Sequence, residues 1–382
     1  MITLWGTGLG PVTGNEAGQP LPGNLANVNA RVFVGGREAA IQYRGRSGCC
    51  VGIDQIVFTV PAGVDGCHVP VSVQVGNVVS NFTSMSVSAN GGPCSSPGSY
   101  SPADLERART NGGLRIGAVG LSKTVLHLSI PGLGSFDSKV DTGFGTFQRI
   151  TLDQILSQDG SANALNPGSC SVSVQRVGSG VQPPVAQITG LNAGSALTVN
   201  GPNGTKSIAA TPNAAGVYIS TPPLSQSIPF GASQPDYIVP GAYTITGPGG
   251  PDFGSFTANL TVPGGTTWAN EAQVSIVNRA NGQLITWTGG DPNSFVYIAG
   301  GSVNTTNTAS GSFVCYERAA VGSFTIPSSV LLAIPSSATI QGTPTGSLSV
   351  GGVTAPTTFT ASGIDIGVAS YVAFVSKQVT YQ

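Results

Sequence analysis

Gln55-Ile56-Val57-Phe58-Thr59-Val60 and, after a break at 61–68, Val69-Pro70-Val71-Ser72-Val73-Gln74-Val75 decide the fold class. In the second stretch every odd position is Val. In the first, Ile56, Phe58 and Val60 fall on one side. A period of two puts alternate side chains on opposite faces of an extended chain, as in a half-buried strand. The break contains Pro61-Ala62-Gly63, which stops one strand before the next begins. The same period recurs at 31–34, 196–199, 217–220, 243–246, 256–262, 273–277, 284–287, 295–298 and 371–379. Gly201-Pro202-Asn203-Gly204, Gly247-Pro248-Gly249-Gly250 and Asn281-Gly282 supply turns between them. Short strands with regular turns predict an all-β chain of sandwich or barrel units.

One helix interrupts the pattern. Ser101 is placed to cap it, Pro102 sits in the first turn, and Asp104 lies three residues after the cap. Asn111-Gly112-Gly113 stops it, so the sequence predicts a short connector helix near 102–110. A further helical turn is expected at 151–156.

Composition narrows the function. Only 8% of the 382 residues are charged, with a net charge of −1, while 40% are hydrophobic. Disorder requires low hydrophobicity and high net charge, so the chain folds. A nucleic-acid binder working through a broad basic surface is excluded by the charge balance. No apolar run approaches the ~18 residues that span a bilayer, so no membrane span is expected. The chain after residue 183 holds four basic residues (Lys206, Arg279, Arg318, Lys377) and six acidic ones. Such a surface offers little charge repulsion against self-association.

The cysteines bear on compartment. Cys49, Cys50, Cys67, Cys94, Cys170 and Cys315 include no Cys-x-x-Cys pair and have only His68 nearby, which argues against zinc. Disulfides are the better reading, in an oxidising, extracellular or cell-surface setting. Cys67 is expected to pair with Cys49 or Cys50, and Cys94 with Cys170, leaving Cys315 as a buried free thiol. The opening Met1-Ile2-Thr3-Leu4-Trp5-Gly6 has no export-signal pattern, so the signal is expected upstream or already removed.

Turn-rich stretches at 88–101 and 178–186, with a softer break at 263–265, divide the chain into four expected units: 1–92, 93–185, 186–262 and 263–382.

Tests for chemistry return little. His68 and His127 are the only histidines, and no Gly-x-Ser-x-Gly elbow accompanies them, so no nucleophilic triad is expected. Asp137 and Asp141 flank Lys139 in what reads as a solvated loop, with glycosidase or calcium roles as weaker readings. Gly6-Thr7-Gly8-Leu9-Gly10 precedes Pro11 and reads as a turn rather than a phosphate loop. Trp287 shares a face with Ile285 and is expected in the core. Trp268 follows Gly264-Gly265-Thr266-Thr267 and is the expected exposed, ligand-stacking aromatic. No cofactor is implied.

Residues 3–94 carry a more specific pattern. It comprises Leu4-Trp5-Gly6-Thr7-Gly8-Leu9-Gly10-Pro11-Val12, then Val32-Phe33-Val34-Gly35-Gly36, then Tyr43. Next come Gly52-Ile53-Asp54-Gln55-Ile56, Phe58-Thr59-Val60-Pro61, Val69-Pro70-Val71-Ser72-Val73 and Val79-Ser80-Asn81. In order and spacing this resembles the uncharacterised Ig-like domain near the C-terminus of many secreted acidobacterial proteins, itself similar to the IPT/TIG immunoglobulin-like fold. Residues 186–382, with Gly241-Ala242-Tyr243-Thr244 and Trp287-Thr288-Gly289-Gly290, are similar to a tail in related proteins. The resemblance implies tandem Ig-like β-sandwich domains, the first at 1–92, and export; it implies no catalytic residue. The expected function is therefore a non-enzymatic structural or adhesive protein, self-assembling through strand edges such as 371–379. The alternative is a carbohydrate-binding module or accessory domain of an extracellular hydrolase. The expected partners are the chain itself or a surface polysaccharide.

Overall fold

The computed structural model describes residues 1–382 except 13–14, 16–24, 95–99, 131, 133, 158–165, 177–187, 230, 232 and 305–308. The linker expected at 178–186 lies outside the described residues.

The chain is all-β. The two opening stretches form the strands Asp54–Thr59 and Gly66–Val75. They belong to a seven-stranded sheet that includes Ile2–Gly6, Arg37–Arg46 and Ala30–Val34. Arg37–Arg46 pairs with Ala30–Val34 through its first residues and with Asp54–Thr59 through its last, with a register shift between Ile41 and Tyr43. The irregularity bends the strand, so one strand serves two layers around one core. Val32, Val34, Ile56, Phe58, Val69 and Val71 fill that core, which is the period-two face read from the sequence.

The connector helix is Pro102–Thr110, with the Ser101–Asp104 capping box formed on both sides. A second helical segment, Leu152–Ser157, falls where a turn was expected, and a third, Ser328–Ala333, carried no sequence signal.

Most of the remaining chain is organised by one twelve-stranded sheet. Its main path runs Ser169–Arg176, Ala309–Arg318, Phe295–Asn304, Gly346–Val353, Ile366–Tyr381, Leu114–Ile130, Gly134–Ile150, Thr189–Gly190. Strand pairing thus crosses the compositional boundaries at 185 and 262. The C-terminal strand Ile366–Tyr381 pairs with Gly346–Val353 on one side and, in parallel, with Leu114–Ile130 on the other. Residues 371–379 are therefore central in the sheet, which corrects the expectation of an open edge there. The close parallel approach needs Gly120, where a Cβ would lie 2.2 Å from the Ser370 carbonyl oxygen.

Sixteen residues in extended form reach about 50 Å, enough to serve two cores. Ala369 and Tyr371 enter one, Val379 and Tyr381 the other, all from the odd-numbered face of the strand. The first core is closed by the four-stranded sheet of Gly204–Ala209, Ala196–Gly201, Gly241–Gly247 and Phe256–Val262. The second is closed by Thr266–Trp268, Gln283–Gly289 and Ser323–Ile326, with helix Ser328–Ala333. Two sandwiches thus share one long layer.

Candidate functional site: a charged seam on the long hairpin

Trp268 is not an exposed stacking residue. It ends the strand Thr266–Trp268, lies opposite Trp287 and is only 4% exposed. Its indole N–H donates to Asn270 Oδ1 at 2.9 Å, so a polar partner is met inside the fold. The glycines before it had suggested a loop; cross-strand pairing with Gln283–Gly289 turned them into a strand entry. Trp287 is buried as expected and donates to the Ala319 carbonyl at 2.8 Å. Trp5, on the strand Ile2–Gly6, is 50% exposed.

All six cysteines are bridged, in pairs that differ from those expected: Cys49–Cys50, Cys67–Cys94 and Cys170–Cys315. Cys315 is no free thiol, because Ser169–Arg176 lies beside Ala309–Arg318 in a register that sets Cys170 directly opposite it. Cys67 finds Cys94 rather than its earlier neighbours. Cys49 and Cys50 sit in the exposed turn between Arg37–Arg46 and Asp54–Thr59.

The glycine-rich turn at 6–10 is tied to the sheet by Asp54 and Arg46. Asp54 is buried, accepts the Leu9 N–H at 2.8 Å and pairs with Arg46, which also donates to the Gly10 carbonyl.

Chemistry-bearing side chains gather instead on the hairpin of Leu114–Ile130 and Gly134–Ile150. Asp137 and Asp141 lie on its second strand rather than in a loop. Lys123 faces Asp141 across it, and His127 faces Asp137. From elsewhere, Asp236 brings its carboxylate to 2.5 Å from Lys123 Nζ, and Glu271 reaches His127 Nδ1 at 2.6 Å. Lys377 adds an ammonium that donates to the Glu271 carbonyl at 3.0 Å. In a chain with 8% charged residues this is a concentrated seam. Asp236 and Glu271 were missed from sequence because they lie more than a hundred residues from their partners.

The seam divides into two ends. At His127, both ring nitrogens face carboxylates, Glu271 and, at 3.7 Å, Asp137. At Lys123, Asp141 is 2% exposed and accepts hydrogen bonds from Ser225 Oγ and the Ile238 N–H, both at 2.8 Å. Lys123 Nζ also donates to the Ile238 carbonyl at 3.0 Å and lies 3.9 Å from Asp141 Oδ1. The Tyr371 hydroxyl is pushed well above its ordinary pKa, first by burial and then by Asp141, Tyr243 and Asp236 in that order. Asp137 and Asp141 are four residues apart on one strand, about 13 Å. That exceeds the separation of a glycosidase carboxyl pair. Among the described residues, no group of three or more His, Cys, Asp or Glu could hold a metal ion.

No family model matches the chain. No curated protein matches it either. Among solved structures it is similar to an I-band fragment of titin, at 8% identity and TM-score 0.12, over 93% of this chain and 89% of that one. A three-Ig titin fragment carrying an E-to-A mutation aligns with the same identity, coverage and TM-score. At such scores the assignment to the all-β class rests on the strand pairing above. Among the described residues no helix is long and apolar enough to cross a membrane.

Proposed function

We propose that this chain is an exported, non-enzymatic structural protein of Ig-like sandwich modules, working outside the cell or at its surface. The observation that carries the reading is the Cys170–Cys315 bridge. Both cysteines are buried in the second core, and the bridge joins strands separated by 145 residues. Structural disulfides of this kind form and persist where the environment is oxidising. The Cys67–Cys94 bridge supports the same compartment by tying the end of the first module to its strand Gly66–Val75.

The strand edges available for self-association are not those at 371–379. Among the described residues, Ile2–Gly6 pairs only with Asp54–Thr59, and Ser169–Arg176 only with Ala309–Arg318. These are the edges through which one copy would add to another. The carbohydrate reading loses its residue with the burial of Trp268.

The test is thiol trapping of the protein as it leaves its native cell, followed by non-reducing peptide mapping. All three bridges in an extracellular fraction are expected. Free Cys170 and Cys315 in a cytoplasmic fraction would overturn the proposal.

A further inference from the structure

Lys123 places a nucleophilic amine against the carboxyl of Asp236 and 3.9 Å from the buried carboxylate of Asp141. We infer that Lys123 and Asp236 join in an intramolecular isopeptide bond, formed by the protein on itself with Asp141 as the proton relay.

The geometry supplies each part. Lys123 Nζ lies 2.5 Å from Asp236 Oδ2, so the carboxyl carbon is already at the approach distance for attack. The Ile238 carbonyl accepts from the same Nζ and fixes the amine against the carboxyl. Asp141 Oδ1 stands 3.9 Å from Nζ. Its other oxygen is locked by Ser225 and the Ile238 N–H, so the free oxygen faces the amine. The cluster sits at the margin of the first core, with Asp141 buried and Tyr237 and Tyr371 among the core residues beside it. Asp236 is its most exposed member, which gives the departing water a route to solvent.

The step balances without any co-reactant. The lysine ammonium passes one proton to Asp141, and the amine attacks Cγ of Asp236. The C–N bond forms and one C–O bond of the carboxyl breaks. The departing oxygen takes the proton held by Asp141 and a second from Nζ, and leaves as water. The positive charge of Lys123 and the negative charge of Asp236 vanish together, and Asp141 ends as the carboxylate it was. Such a bond ties strand Leu114–Ile130 to the segment preceding Gly241–Gly247, across 113 residues. It therefore fastens the long sheet to the four-stranded sheet that faces it, a link no disulfide of this chain provides. The inference does not depend on where the chain is deployed.

The experiment is the intact mass of the full chain after folding, then denaturation and full reduction. The expected mass is lower than that of the sequence by one water, and digestion yields a branched peptide containing both Lys123 and Asp236. Lys123→Arg and Asp236→Ala variants are expected at their full sequence masses, as is Asp141→Asn, which keeps both reacting groups but removes the relay. A wild-type chain at full sequence mass overturns the inference. So does a lost water that maps to a linear peptide, as in a succinimide. A branched peptide that persists in Asp141→Asn overturns the role given to Asp141.

Discussion

The first module and the long-sheet body reach stability by different means. In the module, Ala30–Val34, Arg37–Arg46 and Asp54–Thr59 pair with neighbours close in sequence. Its charged side chains serve as clamps: Arg46 on Asp54, Arg31 on Glu38, and Arg44 on the carbonyls of Ala26 and Ala30. In the body, Leu114–Ile130 pairs with Ile366–Tyr381, and Ser169–Arg176 with Ala309–Arg318. There, aromatic packing and one buried bridge act beside the charged seam of the long hairpin. Phe147 stacks on Phe253 at 4.9 Å, and Phe256 on Phe359 at 4.8 Å.

The largest effect is expected where the body's distant strands are bridged. Replacing both Cys170 and Cys315 by Ala releases a loop of 145 residues and should cost about 4–5 kcal/mol on the chain-entropy account. Denaturant unfolding followed by Trp268 and Trp287 emission reads the body, since both indoles lie in its second core. The distinction between the regions fails if the transition of the first module shifts equally.

Next comes the module's own clamp. Asp54→Ala leaves the largely enclosed Arg46 without its carboxylate and the Leu9 N–H without its acceptor. A loss of about 3 kcal/mol is expected, confined to the module, because removing one partner of a buried pair strands the other. A thermal scan showing the body's transition unchanged would sharpen the comparison.

Alkali should separate the regions in the opposite direction. Seven tyrosines, Tyr218, Tyr237, Tyr243, Tyr297, Tyr316, Tyr371 and Tyr381, lie in the body and have raised pKa values, chiefly through burial. Tyr237 is pushed up to about 12. A pKa raised by folding stabilises fully below the unfolded value near 10 and is lost as pH climbs through the folded value. The body is therefore expected to weaken above pH ~10, with phenolate absorbance appearing together with unfolding. Phenolate formation in a still-folded body would show that these hydroxyls are not held by burial.

The smallest effect belongs to Cys49 and Cys50. Their bridge closes no stretch of chain, so replacing both by Ser should change stability by less than about 0.5 kcal/mol. A larger loss in chemical denaturation would mean that the turn orders the clamp at Asp54.

Strands in the module were legible because each buries one face, so alternation survives in the sequence. Phe58 and Val71 are buried where the period placed them. The connector helix was legible because Ser101, Pro102 and Asp104 act on neighbouring backbone. The hairpin from Leu114 to Ile150 was only partly legible: 137–141 carries Asp, Lys and Asp and reads as a loop, yet Asp141 is buried against Ser225 and Ile238. Its partners lie about a hundred residues away, and no local pattern encodes them. Trp268 was misplaced for the same reason, its burial being supplied by Trp287 and the strand around it.

By itself, the sequence determined the all-β class, the helix and its cap, the glycine turn before Pro11, and a surface poor in charge. Those follow from side-chain alternation, local hydrogen bonding and composition, which act over a few residues. Only the tertiary structure decided which cysteines meet, that 371–379 lies within the sheet, and that Lys123 finds Asp236 beside Asp141. Those follow from register between strands far apart in the chain, and register is set by how whole faces pack.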